Sequence, residues 1–365
     1  MIDAVAKSLE LPYFEAARST IRGLHDYPEL ARSTLARAFN IEDQDHIVFT
    51  QNATDSLNIL IHGFTAEHRS HFHVITSDLE HNSVLRPLAT LEREGRITLS
   101  IARSEDSVLS PDAVMSEIRD DTHLAVLCHG SNVLGSLQDI SSLCHALQGA
   151  DVFTIVDGAQ TAGLVPLDLG KGMPDAFVFT GHKYLFGLPG IGGFFLRDPS
   201  RIAATRQGGT GVDSGNLFQP EEMPLRFETG THNYPGIVSL CAGVRFVQRT
   251  GISDIWKRTD KMTRGILERL SGDPRIILGN SSPDLPVISF NVKGLDCDDV
   301  GMILLKKYRI IVRTGLACAP LIHERLNGGS GSVRISLSYM NTPEECEQVA
   351  DAIQEVARSA GCEDH

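Results

Sequence analysis

Short apolar runs bounded by polar turns recur along this chain. They alternate with longer stretches in which apolar residues return every three or four positions. The runs 46–50 (HIVFT), 73–76 (HVIT), 124–128 (LAVLC), 152–156 (VFTIV) and 176–179 (AFVF) are short and rich in β-branched and aromatic side chains, which predicts buried strands. Residues 97–102 predict an edge strand and 193–196 a further one. Helical spacing marks 57–64, 84–94, 111–118 and 140–148, and also 4–9, 16–24 and 28–39 ahead of the first strand. Strands separated by helices predict an α/β fold with a mostly parallel, helix-covered central sheet. The pattern shifts near 246–275. Helices over 238–250 and 255–270 precede strands at 276–278, 287–291 and 310–313, with helices over 297–307 and 343–359. This predicts a large domain over 1–246, its N-terminal helices packing partly on a smaller C-terminal α+β domain over 247–365.

The polar residues placed just after the strands change the picture from fold to chemistry, because ligands of open α/β sheets bind at the carboxyl ends of the strands. The first run leads into Gln51-Asn52-Ala53-Thr54, a small-residue turn opening a helix, where free N–H groups suit an anion. Asn52 or Thr54 serves equally well as an ordinary cap. The second leads to His81, whose flat ring suits stacking or proton transfer. The third leads to Asn132. The fourth ends at Asp157, an acid costly to bury without a cationic partner. The fifth leads into Thr180-Gly181-His182-Lys183 and a glycine-rich loop. A lysine held there can lose its proton and act as an amine nucleophile, for example in a Schiff base with pyridoxal phosphate (PLP), in whose enzymes an aspartate commonly pairs with the ring nitrogen.

Composition then narrows the classes. The chain has 365 residues, with 42% hydrophobic and 22% charged, in the range of a globular protein of about two domains. The formal net charge of −13 argues against nucleic acid and anionic membranes as main partners. No apolar run approaches the ~20 residues of a membrane span, and the N-terminus lacks the pattern of a secretory signal. The seven cysteines are irregularly spaced without a CxxC pair, which points to reduced thiols in the cytoplasm and to no structural metal.

Taken together, the segments FTQNATDSLN (49–58), SDLEHNSVLRPL (77–88), SNVLGSLQDI (131–140), VDGAQTAG (156–163), TGHKYLFGLPGIGG (180–193), FETGTHNYPGI (227–237), RTGLACAPL (313–321) and RISLSYMNTPEE (334–345) resemble the class V aminotransferases. Within them the chain resembles the cysteine desulfurase family of fold-type I PLP enzymes, in its short-loop subgroup. The resemblance implies that Lys183 bonds PLP and moves protons, that His81 stacks on the ring, and that Asp157 pairs with the ring nitrogen. It implies Gln160 at the ring hydroxyl, with Ala53, Thr54, Thr180 and His182 around the phosphate. Thr231 would reach the phosphate of a partner subunit, implying a homodimer. Asn132 and Arg334 would bind the carboxylate of an amino-acid substrate, L-cysteine or an analogue. Cys318 would take the sulfur as a persulfide, releasing L-alanine, and pass it to a possible sulfur-acceptor protein. Arg313 and His323 are expected to favour its thiolate; the other six cysteines are expected to be structural.

Two departures from the family pattern stand out. The Asp-Asn-Ala-Ala-Thr-like motif near the family's first strand is missing, which implies a late start or a remodelled substrate entrance. Ala317 precedes Cys318 where the subgroup often has histidine. A related C–S lyase, selenocysteine lyase or epimerase, with Cys318 not a nucleophile, is the alternative reading.

Overall fold

The computed structural model describes residues 1–10, 26–170, 174–212 and 214–360. The expected helix at 16–24 and Cys362 lie outside the described residues. Helices α1 (Ile2–Leu9) and α2 (Tyr27–Phe39) come first. After them come β1 (Ile47–Thr50), α3 (Ala53–Glu67), β2 (Phe72–Ser77), α4 (Asn82–Arg93), β3 (Ile97–Ala102), α5 (Pro111–Met115), β4 (Thr122–Cys128), α6 (Ile140–Gln148), β5 (Phe153–Asp157), β6 (Ala176–Thr180) and β7 (Gly192–Leu196). Helices α7 (Tyr234–Thr250) and α8 (Ile252–Leu270) lead to β8 (Ile276–Leu278), β9 (Val287–Val292), α9 (Cys297–Tyr308), α10 (Pro320–Asn327), β10 (Val333–Ser336) and α11 (Pro343–Ala360).

The large sheet has the order β1-β7-β6-β5-β4-β2-β3. Strands β2 to β6 are mutually parallel, and β3 is an edge as expected. Strand β7 is the reversed one, antiparallel to β6 on one side and to β1 on the other. Strand β1 lies at the opposite edge from β3 and so runs in the same direction as β2 to β6, as read from the sequence, while pairing with none of them. Its four residues are all buried, so periodicity reports burial but says nothing of the partner. The chain leaves β2 outward to β3 and returns to β4 on the other side, so a crevice opens at the carboxyl ends of β2 and β4.

Apolar layers fill both faces of this sheet. Leu57, Leu60 and Phe64 of α3 and Val84 and Leu88 of α4 pack on one face. Leu35 and Phe39 of α2 and Ile237, Leu240 and Val244 of α7 pack on the other. Each such burial is worth about 1.5–3 kcal/mol. A buried ion pair crosses the second face. Arg32 of α2 donates from Nη2 to Glu228, whose other oxygen accepts the Phe49 N–H at 2.6 Å. Helices α1 and α2 both pack against α7, in which residue 246 lies.

The second sheet is small and antiparallel, in the order β10-β9-β8, with its own apolar cluster under α8, α9 and α11. Residues 310–313 are not a strand: only Arg313 forms a bridge, to Arg334. The third strand is instead Val333–Ser336, where two apolar residues alternate with polar ones after a glycine-rich turn. Residues 320–327 form α10, which starts on Pro320 and ends at Gly328 with a left-handed φ of 63°.

Candidate active site

Five turns, at the carboxyl ends of β1, β2, β4, β5 and β6, meet around one cavity of about 310 Å³. Ala53, Thr54, His81, Asn132, Asp157, Gln160, Thr180, His182 and Lys183 all line it. Asp157 ends β5 and is buried, with one carboxylate oxygen accepting the Ala159 N–H at 2.9 Å. No ion pair to it is present among the described residues. Lys183 follows β6 through Gly181, whose N–H bonds to the Ile191 carbonyl at 2.9 Å and pins the turn to β7. Burial holds the Lys183 ammonium below its ordinary pKa; nearby Asp157 opposes this and Arg334 adds to it. The free amine is therefore more accessible than on a surface lysine.

His81 caps α4. Its Nδ1 accepts the Ser83 N–H at 3.1 Å and lies 2.8 Å from the Ser83 hydroxyl, which fixes the ring. Burial lowers its pKa, favouring the neutral imidazole. Thr180 Oγ1 and His182 Nδ1 are 3.1 Å apart. At the start of α3, the Asn52 side chain takes the Asp55 N–H at 3.0 Å. Ala53 and Thr54 occupy the first two positions of α3 and line the cavity, and amides at the first turn of a helix have no acceptor within the helix. Gly192 allows β7 to lie against this turn, since a Cβ there would come within 2.7 Å of the Asn52 Cα.

Arg334, on β10, reaches the same place from the small sheet. It lines a broad cleft together with Gln160, His182 and Lys183, bordered by Met1, Asp3 and Ala4 of the N-terminal segment and by α7. Its Nη1 donates to the Asn132 carbonyl at 3.0 Å, while its buried Nε has no partner. A carboxylate at that point would satisfy the orphaned donor. Burial and Arg313 push the Arg334 pKa down from its ordinary value. Asn132 donates its amide to the Ala317 carbonyl at 2.7 Å, so it already bridges Arg334 and the cysteine-bearing segment.

Cys318 does not line the Lys183 cavity. It lies in an adjoining groove that shares Thr54, His81 and Ser83 with that cavity. Its carbonyl accepts the Asn82 N–H at 2.7 Å, next to His81. His323 does not assist it as expected: it is fully buried, both ring nitrogens lack partners, and burial keeps it neutral. Thr231 is exposed and borders a different pocket with Arg32 and Glu228, away from Lys183 of its own chain. Cys128, Cys144, Cys241, Cys297 and Cys346 are buried and unpaired.

Glu80 escaped the sequence reading. It sits between β2 and His81, fully buried, its Oε1 accepting from the Ser77 hydroxyl at 2.6 Å and the Cys128 N–H at 2.8 Å. The signal that marked Asp157, an acid just past an apolar strand, was equally present here.

The chain matches the Aminotransferase class-V family over residues 16–349. It belongs to the class-V aminotransferases. Among curated members it is 31% identical to a probable cysteine desulfurase of Methanothermobacter thermautotrophicus, over 90% of this chain and 83% of that protein. It is 30% identical to a cysteine desulfurase of Salmonella gallinarum, over 93% of this chain and 86% of the other. The apo cysteine desulfurase structure from Thermococcus onnurineus NA1 superposes with a TM-score of 0.87 at 28% identity, covering 98% of this chain and 92% of that one. Class-V aminotransferases depend on PLP, and the cavity fits that group. It offers a buried carboxylate without an ion-pair partner among the described residues for the pyridinium, a helix start for the phosphate, and an amine of lowered pKa on the same cavity.

Proposed function

We propose that this protein is a PLP-dependent cysteine desulfurase that converts L-cysteine to L-alanine and takes the sulfur on Cys318. The observation carrying this reading is the convergence of Lys183, Asp157 and His81 on one cavity, with Cys318 tethered beside His81. Bound PLP supplies an electron sink that acidifies the substrate Cα–H and loosens the Cβ–S bond. In this reading Lys183 Nζ holds the cofactor and moves protons at Cα and Cβ. Asp157 faces the ring nitrogen, Gln160 the ring hydroxyl, and His81 covers the ring. Ala53, Thr54, Thr180 and His182 surround the phosphate. Arg334, with its free Nε, and Asn132 hold the substrate carboxylate. The Cys318 thiolate attacks the substrate sulfur. The Cβ–S bond breaks with its electrons left on Cβ, which takes a proton and becomes the alanine methyl group. Thr231 is assigned to the phosphate site of a second copy in a homodimer. No helix among the described residues is long and apolar enough to cross a membrane, and we place the enzyme in the cytoplasm, where its thiols stay reduced.

The seat of Cys318 outside the Lys183 cavity favours one rival, a lyase that does not use this thiol. Product analysis separates the two. Alanine and persulfide sulfur from L-cysteine, both lost in Cys318→Ser, are expected. Pyruvate as product, or full turnover in the serine variant, would make the protein a lyase instead.

A further inference from the structure

The groove that holds Cys318 has a second wall that, Thr54 apart, the desulfurase chemistry leaves unused. Thr54, Asn58 and His62 stand four residues apart on α3, and Asn82, Arg86 and Thr90 stand four apart on α4. Residues at that spacing share one helix face, and eight residues of helix span about 12 Å. The two faces enclose about 450 Å³, with Cys318 among the lining residues. That is the scale of a small-molecule site.

The chemistry of the wall is one-sided. No carboxylate lines it, although the whole chain carries a net charge of −13. Arg86 is exposed and has no ion pair among the described residues. His62, Thr90 and Asn58 add polar groups; Asn58 uses its amide on the Thr54 carbonyl at 2.8 Å. His81 stands between this groove and the Lys183 cavity, while the broad cleft beside Arg334 opens onto Lys183 without it. Substrate and sulfur acceptor thus have separate approaches to the two sides of His81.

We propose that the α3–α4 groove binds the thiol that discharges Cys318, and that it selects a small thiol bearing a carboxylate. The proposal rests on the reading that Cys318 carries sulfane sulfur. The carboxylate sits on Arg86, and the acceptor thiolate attacks the outer sulfur of the Cys318 persulfide. A new S–S bond forms on the acceptor, the bond to Cys318 breaks, and its electron pair leaves on Cys318 as thiolate. The proton stays with the new persulfide, and no oxidant or reductant is consumed.

The holoenzyme is loaded once with radiolabelled sulfur from L-cysteine, freed of excess, and discharged with mercaptopropionate, mercaptoethanol or cysteamine at equal thiolate concentration. The expected order is carboxylate, then neutral, then amine. The anionic preference should be about fivefold, the upper range for an exposed ion pair. It should vanish in Arg86→Ala and invert in Arg86→Glu, while the alanine formed in the loading step stays unchanged in both. Equal discharge by the three thiols overturns the proposal, and so does a preference that survives Arg86→Glu. An acidic protein segment as the true acceptor would also appear as equal discharge by these small thiols. Alanine formed with label on Cys318 keeps the desulfurase reading standing in either case. Absence of label from Cys318 removes that reading and this site with it.

Discussion

Replacing Glu80 by glutamine tests the physics of the turn that presents His81. The Glu80 carboxyl is fully buried, and Oε2 has no hydrogen-bond partner. Burial, reinforced by Asp157 and Asp78, raises its pKa from 4.5 to about 8; the bonds from Ser77 and Cys128 only partly oppose it. The folded protein therefore keeps a proton at neutral pH that the unfolded chain has already released. Between those two values the native state binds one more proton, so stability falls as pH rises, by about 1.4 kcal/mol per pH unit. The loss begins above the unfolded value and is complete once pH passes about 8. Raising pH from about 5.5 to about 7.5 should cost roughly 3 kcal/mol from this group alone. Glutamine keeps an oxygen for Ser77 and Cys128 and cannot ionise. Urea unfolding of wild type and Glu80→Gln at both pH values isolates the term, since all other titrations are shared. The wild type should lose about 3 kcal/mol more than the variant. Parallel pH dependence would show that Glu80 is ionised in the fold, or that water reaches it, and would refute the reasoning.

Lys183→Ala should fold normally yet lose at least about a thousandfold in turnover, as expected for a proton-transfer group, and should give no borohydride-fixed PLP label. Arg334→Lys should raise KM for cysteine by about tenfold with a smaller change in kcat, because one ammonium cannot reproduce the guanidinium fork; steady-state kinetics reads the split. Arg32→Met leaves the Glu228 carboxylate buried without its guanidinium partner and should cost about 3–5 kcal/mol by urea unfolding, and adding Glu228→Leu should recover part of it.

The sheet was legible because its parallel strands are buried on both faces, and the uninterrupted apolar runs of such strands show in any single sequence. The site was legible for a related reason. A polar residue placed after such a run must lie at the sheet's carboxyl edge, and His81, Asn132, Asp157 and Lys183 all do. Pairing partners were hidden: nothing in Ile47–Thr50 shows that β1 pairs with the reversed strand β7 and not with one of the strands whose direction it shares. Strand β10 was hidden because only Val333 and Ile335 are buried in a run that is otherwise polar. The setting of Cys318 was hidden too, because its walls come from α3 and α4, more than two hundred residues earlier.

Ala317 is best understood from that same distance. The cysteine-bearing segment comes after α9, which covers the small sheet, yet Ala317, Ala319 and Ile322 are buried in an apolar cluster with Ile75, Leu79 and Leu127 of the large one. Ala317 and Cys318 both adopt left-handed backbone, with φ of 46° and 60°, at a cost of about 1 kcal/mol or more each. Their carbonyls accept bonds of 2.7 Å from Asn132 and from the Asn82 N–H, two turns of the large sheet, and these hold the strained pair in place. A histidine at 317 would enter that apolar cluster and would have to displace Leu79 or its neighbours or forgo its own hydrogen bonds. Alanine is therefore the residue that lets the large sheet fix the position of the thiol.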